Sequence, residues 1–432
     1  MRRFIWSDLD KDSRASTLAR PAAISDDALI QGVRSILADV ETHGDEALLR
    51  LTQKYDGVAL SALEVPRSDM KAAWDALAAE DKDAIDRASA NIKAFHSAQF
   101  PKAVEVETEP GVVCRREARA IETAGLYVPS GTAPLVSTLL MLAIPAKVAG
   151  VENRIIVTPP ARDGRVNSVI LAAAYRCDVT ALYAVGGAQA IAALAYGTET
   201  IPKCDKIFGP GNAWVAAAKS LAAQAAGGPA IDMPAGPSEA MVLADDAADP
   251  AFVASDLLSQ AEHDTVAQVV CVATSTAVAD RVEAEINAQL QTLSRKDIAT
   301  ESLKFGRMII ASDRAEVLDI VNGYAPEHLI VQLQDPDDYV ASIRHAGSIF
   351  LGPWTPESVG DYASGTNHTL PTYGAARAYS GVTLDSFLKY VSIQKLTKTG
   401  IKNLGPIVER LAEMEGLDAH KRAVSLRLEA LQ

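Results

Sequence analysis

The chain has 432 residues, enough for two or three domains and a substantial core. Apolar residues make up 48% and charged residues 22%, an ordinary balance for a water-soluble globular protein. A formal net charge of −14 argues against nucleic acid as a general partner, because phosphate binding needs a basic face, though an anionic cofactor held by backbone N–H groups stays compatible.

The N-terminus, MRRFIWSDLDKDSR, has no apolar core of signal-peptide length. Residues 28 to 98 read as helical, with apolar residues three and four apart, and Ser68 is the expected N-cap of a second helix. VEVETEPGVVCRREARAIE then alternates about Pro110-Gly111 and predicts a hairpin. The longest uncharged run, Thr123 to Ala146, is broken by Pro129, Pro134 and Pro145, and its strongly apolar part is too short to span a bilayer.

From about Tyr127 the rhythm becomes strand then helix: NRIIVTPP, SVILAAAYRC, TALYAVGG, AQAIAALAYG, KCDKIFGPGN, AWVAAAKSLAAQ. After DMPAGPS it repeats through EAMVLAD, DPAFVASDLLSQAEH, TVAQVVCVA, STAVADRVEAEINAQLQTL, GRMIIAS, RAEVLDIVNGY, HLIVQL, DPDDYVASIRHA and GSIFLG. Such alternation is the mark of a parallel α/β sheet. The fold class expected is α/β, with two Rossmann-like parallel-sheet domains, a helical N-terminal region and a small C-terminal helical extension. That extension, from about Val382, is too small to fold alone and must pack on another body or another subunit.

Cys114, Cys177, Cys204 and Cys271 form no CxxC pair, so neither a disulfide framework nor a cysteine zinc site is expected, and a reducing compartment fits. Of the histidines, His43 and His96 read as solvated and His345 as a helix cap. The other four occupy unusual settings. Gln260 and His263 are i,i+3 near the end of a helix that Asp249-Pro250 starts; two donors on one turn can chelate a cation, though a polar helix end looks the same. In APEHLIV, Glu327 and His328 open a strand on opposite sides of its backbone, where a carboxylate and an imidazole can serve as acid and base or stand as a half-exposed pair. That is the amino end of the strand, not the carboxyl end where α/β sites usually gather. ESVGDYASGTNHTLPTYG reads as a long loop carrying Glu357, Asp361 and His368, and loops of this composition either connect or bind. Glu415 and His420 flank a helix start that would otherwise pass for a solvated, charged surface. FGPGN before an Ala-rich helix has the make-up of an anion site, without GxGxxG, GxxxxGK[ST] or GxSxG anywhere in the chain.

Together these stretches resemble the histidinol dehydrogenase family. The resemblance runs through GLYVPSGTAPLVSTLLMLAIPAKVAG, AVGGAQAIAALAYGTE, KIFGPGNAWVAAAK, DMPAGPSEAMVLAD, LLSQAEHD, NGYAPEHLIV, SVGDYASGTNHTLPTYGAARAYSG and GLDAHKRAVSLRL, in the family's order over most of the chain. It implies one zinc per subunit on Gln260, His263, Asp361 and His420, the last from the neighbouring subunit of a homodimer with a shared active site. It implies substrate contacts from Ser238, Gln260, His263, Glu327, His328, Asp361, Glu415 and His420, and NAD contacts from Tyr127, Gln189 and Asn212. Glu327 and His328 become the catalytic pair. The implied reaction is the NAD-linked, four-electron oxidation of L-histidinol to L-histidine through a bound aldehyde, in the last two steps of histidine biosynthesis. A cytoplasmic enzyme without nucleic-acid or membrane partners is expected. Ser130 and Ala240 depart from the commonest family residues, and neither is a proposed ligand.

The division expected on this basis is an arm, 1–24, packing with the C-terminal extension; 25–126 with 237–381 as the larger, metal-side α/β domain; 127–236 as the NAD-binding domain; and 382–432 reaching a neighbouring subunit. Three rivals remain at this point: a zinc and NAD dehydrogenase of the same fold acting on another small alcohol, a zinc hydrolase, and a non-catalytic small-molecule binder.

Overall fold

The structure, a computed structural model, describes residues 1–20, 27–130, 134–233 and 236–431. Parts of three expected features, the arm (21–24), PSGTAP (131–133) and DMPAGPS (234–235), lie outside the described residues.

The chain begins with β1 (Arg2–Ile5), α1 (Lys11–Leu18), α2 (Asp27–Asp56), α3 (Arg67–Ala76), α4 (Ala79–Ser97) and the hairpin β2 (Val104–Glu109)–β3 (Val112–Ala120). The first α/β array follows: β4 (Thr123–Tyr127), α5 (Val136–Ala149), β5 (Asn153–Thr158), α6 (Ser168–Arg176), β6 (Ala181–Ala184), α7 (Gly187–Tyr196), β7 (Lys206–Phe208), α8 (Ala213–Gln224) and β8 (Ala230–Ile231). Its five strands are all parallel, in the order β6-β5-β4-β7-β8. The chain builds outward from β4 to one side, then crosses back to β7 on the other, so the β4/β7 junction is a topological switch point.

The second array is β9 (Glu239–Ala244), α9 (Pro250–Ala261), β10 (Gln268–Ala273), α10 (Thr276–Leu290), α11 (Lys296–Leu303), β11 (Arg307–Ile310), α12 (Arg314–Tyr324), β12 (His328–Gln332), α13 (Asp337–Val340), β13 (Ser348–Leu351) and α14 (Glu357–Tyr362). With β1 it forms a six-stranded parallel sheet, β1-β11-β10-β9-β12-β13, whose switch point lies between β9 and β12. The two-sheet α/β architecture is the one the rhythm predicts. Both sheets are covered on two faces, so their strands are continuously apolar, as in β9 and β10, where every residue is buried. The chain ends in β14 (Leu388–Leu396), α15 (Lys398–Met414) and α16 (Asp418–Glu429).

The structure redraws the expected division. Helices α2, α3 and α4 pack on α7 and α8, α6, and α5 respectively, so they clothe the five-stranded sheet and not the larger one. Periodicity shows that a helix has an apolar face; it does not say which sheet that face covers. The arm adds β1 to the edge of the six-stranded sheet, with Trp6 buried behind it and α1 against α12. The boundary at 126 cuts β4. The extension is tied back by β14, which pairs antiparallel with β3 along all nine of its residues.

Smaller differences follow local chemistry. The helix expected to be capped by Ser68 starts at Arg67 with Pro66 as its N-cap. His345 caps nothing; α13 ends at Val340. His96 is fully buried, its Nδ1 2.8 Å from the carbonyl of Ile92, on the stripe Ile85, Ala88, Ile92. The run ending at Ala146 is α5, buried on nearly all sides and carrying Pro145 inside it. All four cysteines are free. Among the described residues no helix is long and apolar enough to cross a membrane.

Candidate active site

Glu327 and His328 stand where α12 turns into β12. The helix is closed by Ala325 in the left-handed region, φ 56°, which swings the chain through Pro326 into the strand. Both side chains are buried, at 5% and 4% exposure, so a half-exposed surface pair is excluded. Strand β12 pairs with β9, and His328 lies opposite Ala240. The preceding residue on β9, Glu239, therefore meets both groups with its backbone. Its N–H donates to Glu327 Oε2 at 2.9 Å, and its carbonyl lies 3.2 Å from His328 Nδ1. An Nδ1–H donated to that carbonyl leaves the Nε2 lone pair for chemistry.

Two more carboxylates close on the same imidazole. Glu357 Oε1 is 3.8 Å from Nδ1 and Asp361 Oδ1 is 3.4 Å from Nε2, while Glu327 Oε2 is 3.7 Å from Nδ1. The expected loop begins here as α14, a helix of six residues that puts Glu357 and Asp361 on one face, i and i+4. Among the described residues, His328, Glu357 and Asp361 have ligand atoms within 4.8 Å of one another. This trio shares only Asp361 with the expected zinc set.

Burial dominates the ionisation of the cluster. It pushes Glu327 up to about 8, against the smaller pull of His328 and the Glu239 N–H, and it pushes Glu357 up as well. His328 is driven the other way by burial, but Glu357, Glu327 and Asp361 outweigh it and hold the imidazole well above its usual value. Burial would also raise Asp361, yet the close approach and charge of the His328 imidazole bring it below the ordinary carboxylate range.

The remaining expected ligands lie around this core. Gln260 is fully buried near the end of α9, one turn beyond Asp256, whose carboxylate accepts from Gln332 on β12 at 2.8 Å. Neither amide atom of Gln260 has a hydrogen-bond partner, and Glu357 Oε2 has none. His328 Nε2 and Asp361 Oδ1 also close no well-aligned hydrogen bond. Each unmet buried polar group costs roughly 1–3 kcal/mol, so this concentration marks the cluster as the candidate site for water, an ion or a substrate to satisfy. His263 is exposed just past α9, at the rim. Ser238 is half-buried immediately before β9. His368 Nε2 lies 3.0 Å from Thr138 Oγ1, and Asn367 donates to the carbonyl of Met141 at 2.6 Å, which anchors this loop to α5 of the other array. Glu415 and His420 are exposed at the junction of α15 and α16, outside the buried cluster.

The residues expected to contact a dinucleotide gather at the carboxyl ends of the five-stranded sheet. Tyr127 ends β4 and its hydroxyl accepts from the N–H of Gly187 at 3.3 Å; Gln189 lies in the first turn of α7; Asn212 caps α8, accepting from the N–H groups of Trp214 and Val215. Tyr127 and Asn212 thus flank the β4/β7 switch point, where anionic ligands meet helix N-termini. Gly209 passes so close to β4 that a Cβ would lie 2.1 Å from the Tyr127 carbonyl, at φ 117°. Lys219 and Asp232, both buried, hold it: Lys219 donates to the Gly209 carbonyl at 2.9 Å, Asp232 accepts from its N–H at 2.8 Å, and the two side chains pair with each other. Sequence reasoning picked out Glu357 only as part of a loop and did not single out Glu239, Lys219 or Asp232, which the structure brings to the two sites. The available signal was a charged residue on a face that otherwise reads as apolar.

The chain matches the family model of histidinol dehydrogenase over residues 19–428. It is 48% identical over 431 residues to histidinol dehydrogenase of Vibrio parahaemolyticus serotype O3:K6, covering 100% of this chain and 99% of that protein. To histidinol dehydrogenase of Colwellia psychrerythraea it is 49% identical over 425 residues, 98% of each. It superposes on the crystal structure of histidinol dehydrogenase from Elizabethkingia anophelis with a TM-score of 0.96, at 45% identity, covering 100% of this chain and 98% of that one.

Proposed function

The chain belongs to the histidinol dehydrogenase family, and from that premise we propose that it oxidises L-histidinol to L-histidine, with two NAD⁺ consumed in turn, at the Glu327–His328–Asp361 cluster. The observation that carries this reading is the buried acid and imidazole of APEHL, both set by one residue's backbone and both facing a cluster short of ligands.

The donor set suits a zinc ion. Gln260 offers an unpaired amide oxygen, Asp361 an unpaired carboxylate oxygen and His263 a ring nitrogen, and a cation there would favour ionisation of the neighbouring buried carboxyls that burial otherwise holds protonated. His420 of a second copy is the fourth donor of this proposal. Two exposed apolar areas support the pairing. Trp354 (83% exposed) precedes α14 and Tyr362 (61%) ends it, and Met414 (70%) and Leu411 (55%) lie on α15, near Glu415 and His420 in sequence. Exposed apolar side chains of this size suit contact with a second copy of the chain.

When bound, the zinc supplies a Lewis-acidic anchor for the substrate's imidazole and amine. Tyr127, Gln189 and Asn212 would hold NAD⁺ at the carboxyl ends of β4 and β7, where its nicotinamide would supply the hydride acceptor. The side chains move the protons. With Asp361 committed as a ligand, His328 loses its nearest counter-charge and Nε2 is free to take the alcohol proton as hydride leaves the carbinol carbon. Glu327 removes a proton from the water that adds to the aldehyde, and His328 serves again as the hydrate loses the second hydride. Glu415 and Ser238 are assigned to the substrate's polar groups. The cytoplasm is the proposed location.

The test is the yield of NADH per L-histidinol consumed by zinc-loaded protein. Two NADH with histidine as product supports the reading. One NADH with free aldehyde removes the second step, and none removes the substrate assignment.

A further inference from the structure

We propose that Arg20 is a positioning residue for the acid/base pair, locking the turn before Glu327 to the backbone of Glu239 that holds both groups. The side chain of Arg20 is 12% exposed and that of Glu239 is 1% exposed. Arg20 Nε donates to Glu239 Oε2 at 2.6 Å and Nη2 donates to Oε1 at 2.8 Å, a two-pronged pair. The same Nη2 donates to the carbonyls of Tyr324 at 2.9 Å and Ala325 at 3.3 Å. The guanidinium lies 3.9 Å over the Tyr324 ring, and the Tyr324 hydroxyl donates to Glu239 Oε2 at 2.9 Å.

One planar group thus ties three segments far apart in sequence: the N-terminal arm, the first residue of β9 and the end of α12. Two of them are the segments that place the chemistry. The backbone of Glu239 touches Glu327 and His328, and the Tyr324–Ala325 carbonyls lead directly into Pro326 and the pair. Ala325 holds a left-handed φ of 56° that a residue with a Cβ rarely keeps unaided, and Arg20 binds its carbonyl. Lysine cannot replace this geometry, because a single ammonium has no fork to spread over a carboxylate and two carbonyls. Nothing in the residues around Arg20 signals this role, since its partners lie 219 and 304 residues away.

The inference rests on the proposed reaction only for what the pair does. Two readouts on full-length, zinc-loaded protein separate the two. Arg20→Met alone would strand a buried Glu239 charge, so the informative variants are Arg20→Met with Glu239→Gln, and Arg20→Lys. Amide hydrogen exchange at Glu327 to Leu329 is expected to quicken about tenfold or more in the double variant at an unchanged Tm. The kcat for histidinol is expected to fall roughly tenfold to a hundredfold, the cost of about 1 Å of misplacement, with KM for NAD⁺ unchanged within about twofold. Arg20→Lys should show a smaller loss of the same kind, and it decides the matter by the same readouts if the double variant does not fold. A folded variant with wild-type exchange and wild-type kcat overturns the proposal, as does a rise in KM for NAD⁺ matching the fall in kcat. If exchange quickens as expected but the wild-type protein yields no NADH from histidinol, the clamp stands and the proposed reaction falls.

Discussion

Replacing Asp256 by Asn should stabilise the protein at neutral pH and not in acid. Asp256 lies on α9 at 4% exposure, its Oδ2 accepting from Gln332 Nε2 at 2.8 Å, and burial raises its pKa from 3.8 to about 6. The folded value exceeds the unfolded one, so the neutral form is the one the fold prefers. Below the unfolded value both states carry the proton and nothing is lost; as pH rises through about 6 the folded protein must hold a charge that the unfolded chain ionises freely. A shift of about two units at 1.36 kcal/mol each sets the cost above that pH at no more than about 3 kcal/mol. Asn keeps an acceptor oxygen for Gln332 and has no charge to bury. With an unfolding entropy near 2.1 cal/mol/K per residue, the gain corresponds to about 3 °C in Tm at pH 7.5 and close to zero at pH 4. Differential scanning calorimetry of both proteins at matched zinc across that range measures it. A gain of equal size at both pH values, or a loss at pH 7.5, would refute the reasoning, because either outcome means the carboxylate is not held against its charge.

The remaining expectations concern chemistry and assembly. Glu327→Gln should retain the first hydride transfer and slow the aldehyde step by roughly 10²–10⁴-fold, while His328→Gln should slow both; stopped-flow NADH traces with histidinol and with histidinaldehyde separate the steps, and a Glu327 variant slowed on the alcohol alone would reverse the assignment. Lys219→Met with Asp232→Asn removes the clamp on Gly209 and should raise KM for NAD⁺ about tenfold with KM for histidinol little changed, a split that steady-state kinetics with either substrate varied will show. Mixing inactive Asp361→Asn and His420→Asn proteins after dissociation should restore about a quarter of wild-type activity, since half the dimers are hybrids and each carries one intact site. No recovery, with mixed dimers verified by mass spectrometry, would mean that His420 serves the site of its own chain.

The two α/β arrays were legible because buried parallel strands are short apolar runs and their covering helices have period. Gln260, His263, Glu327, His328 and Asp361 stood out in the sequence as candidates, each a polar group where its neighbours are apolar or glycine-rich, but spacing left a bland reading open for every one and the resemblance alone joined them into a set. What failed was of three kinds. The cover that α2 to α4 give the five-stranded sheet is a choice between two apolar surfaces, and no local pattern encodes it. Helix α5 is apolar on nearly every face, so it lacks the periodicity that marks a helix, and its proline argued the other way. Long-range ties such as Arg20 to Glu239 leave no mark in either neighbourhood. His96 is different, for the signal was present: Ile85, Ala88, Ile92 and His96 continue one stripe, and a histidine on that stripe is buried with it.

The acid/base pair sits at the amino ends of β9 and β12, which runs against the usual location of α/β sites, and electrostatics explains the exception. The carboxyl-end rule describes ligands that are anions, because helices begin there and point their N–H groups outward. In the five-stranded sheet the β4/β7 mouth follows that rule: α7 starts on Gly186-Gly187 without a side-chain cap, and α8 starts beside it. At the opposite end of an α/β sheet the signs reverse. Helix α9 delivers Gln260 and His263 from its carboxyl terminus, where its dipole favours a cation. Strand β9 begins there and leaves an N–H free to hold a carboxylate, which Glu327 takes. A site that must gather carboxylates around a cation gains from both. The chain passes from the carboxyl end of β8 to the amino end of β9 in the seven residues 232–238, and the loop around His368 joins α14 to α5. The short connection and the His368–Thr138 contact tie the two arrays together near the loop that follows α14. The proposed hydride transfer would need the donor and acceptor carbons about 3–3.5 Å apart, with an anionic cofactor on one side and a cation-anchored alcohol on the other, and each sheet end offers one of those environments without being built against its own dipoles.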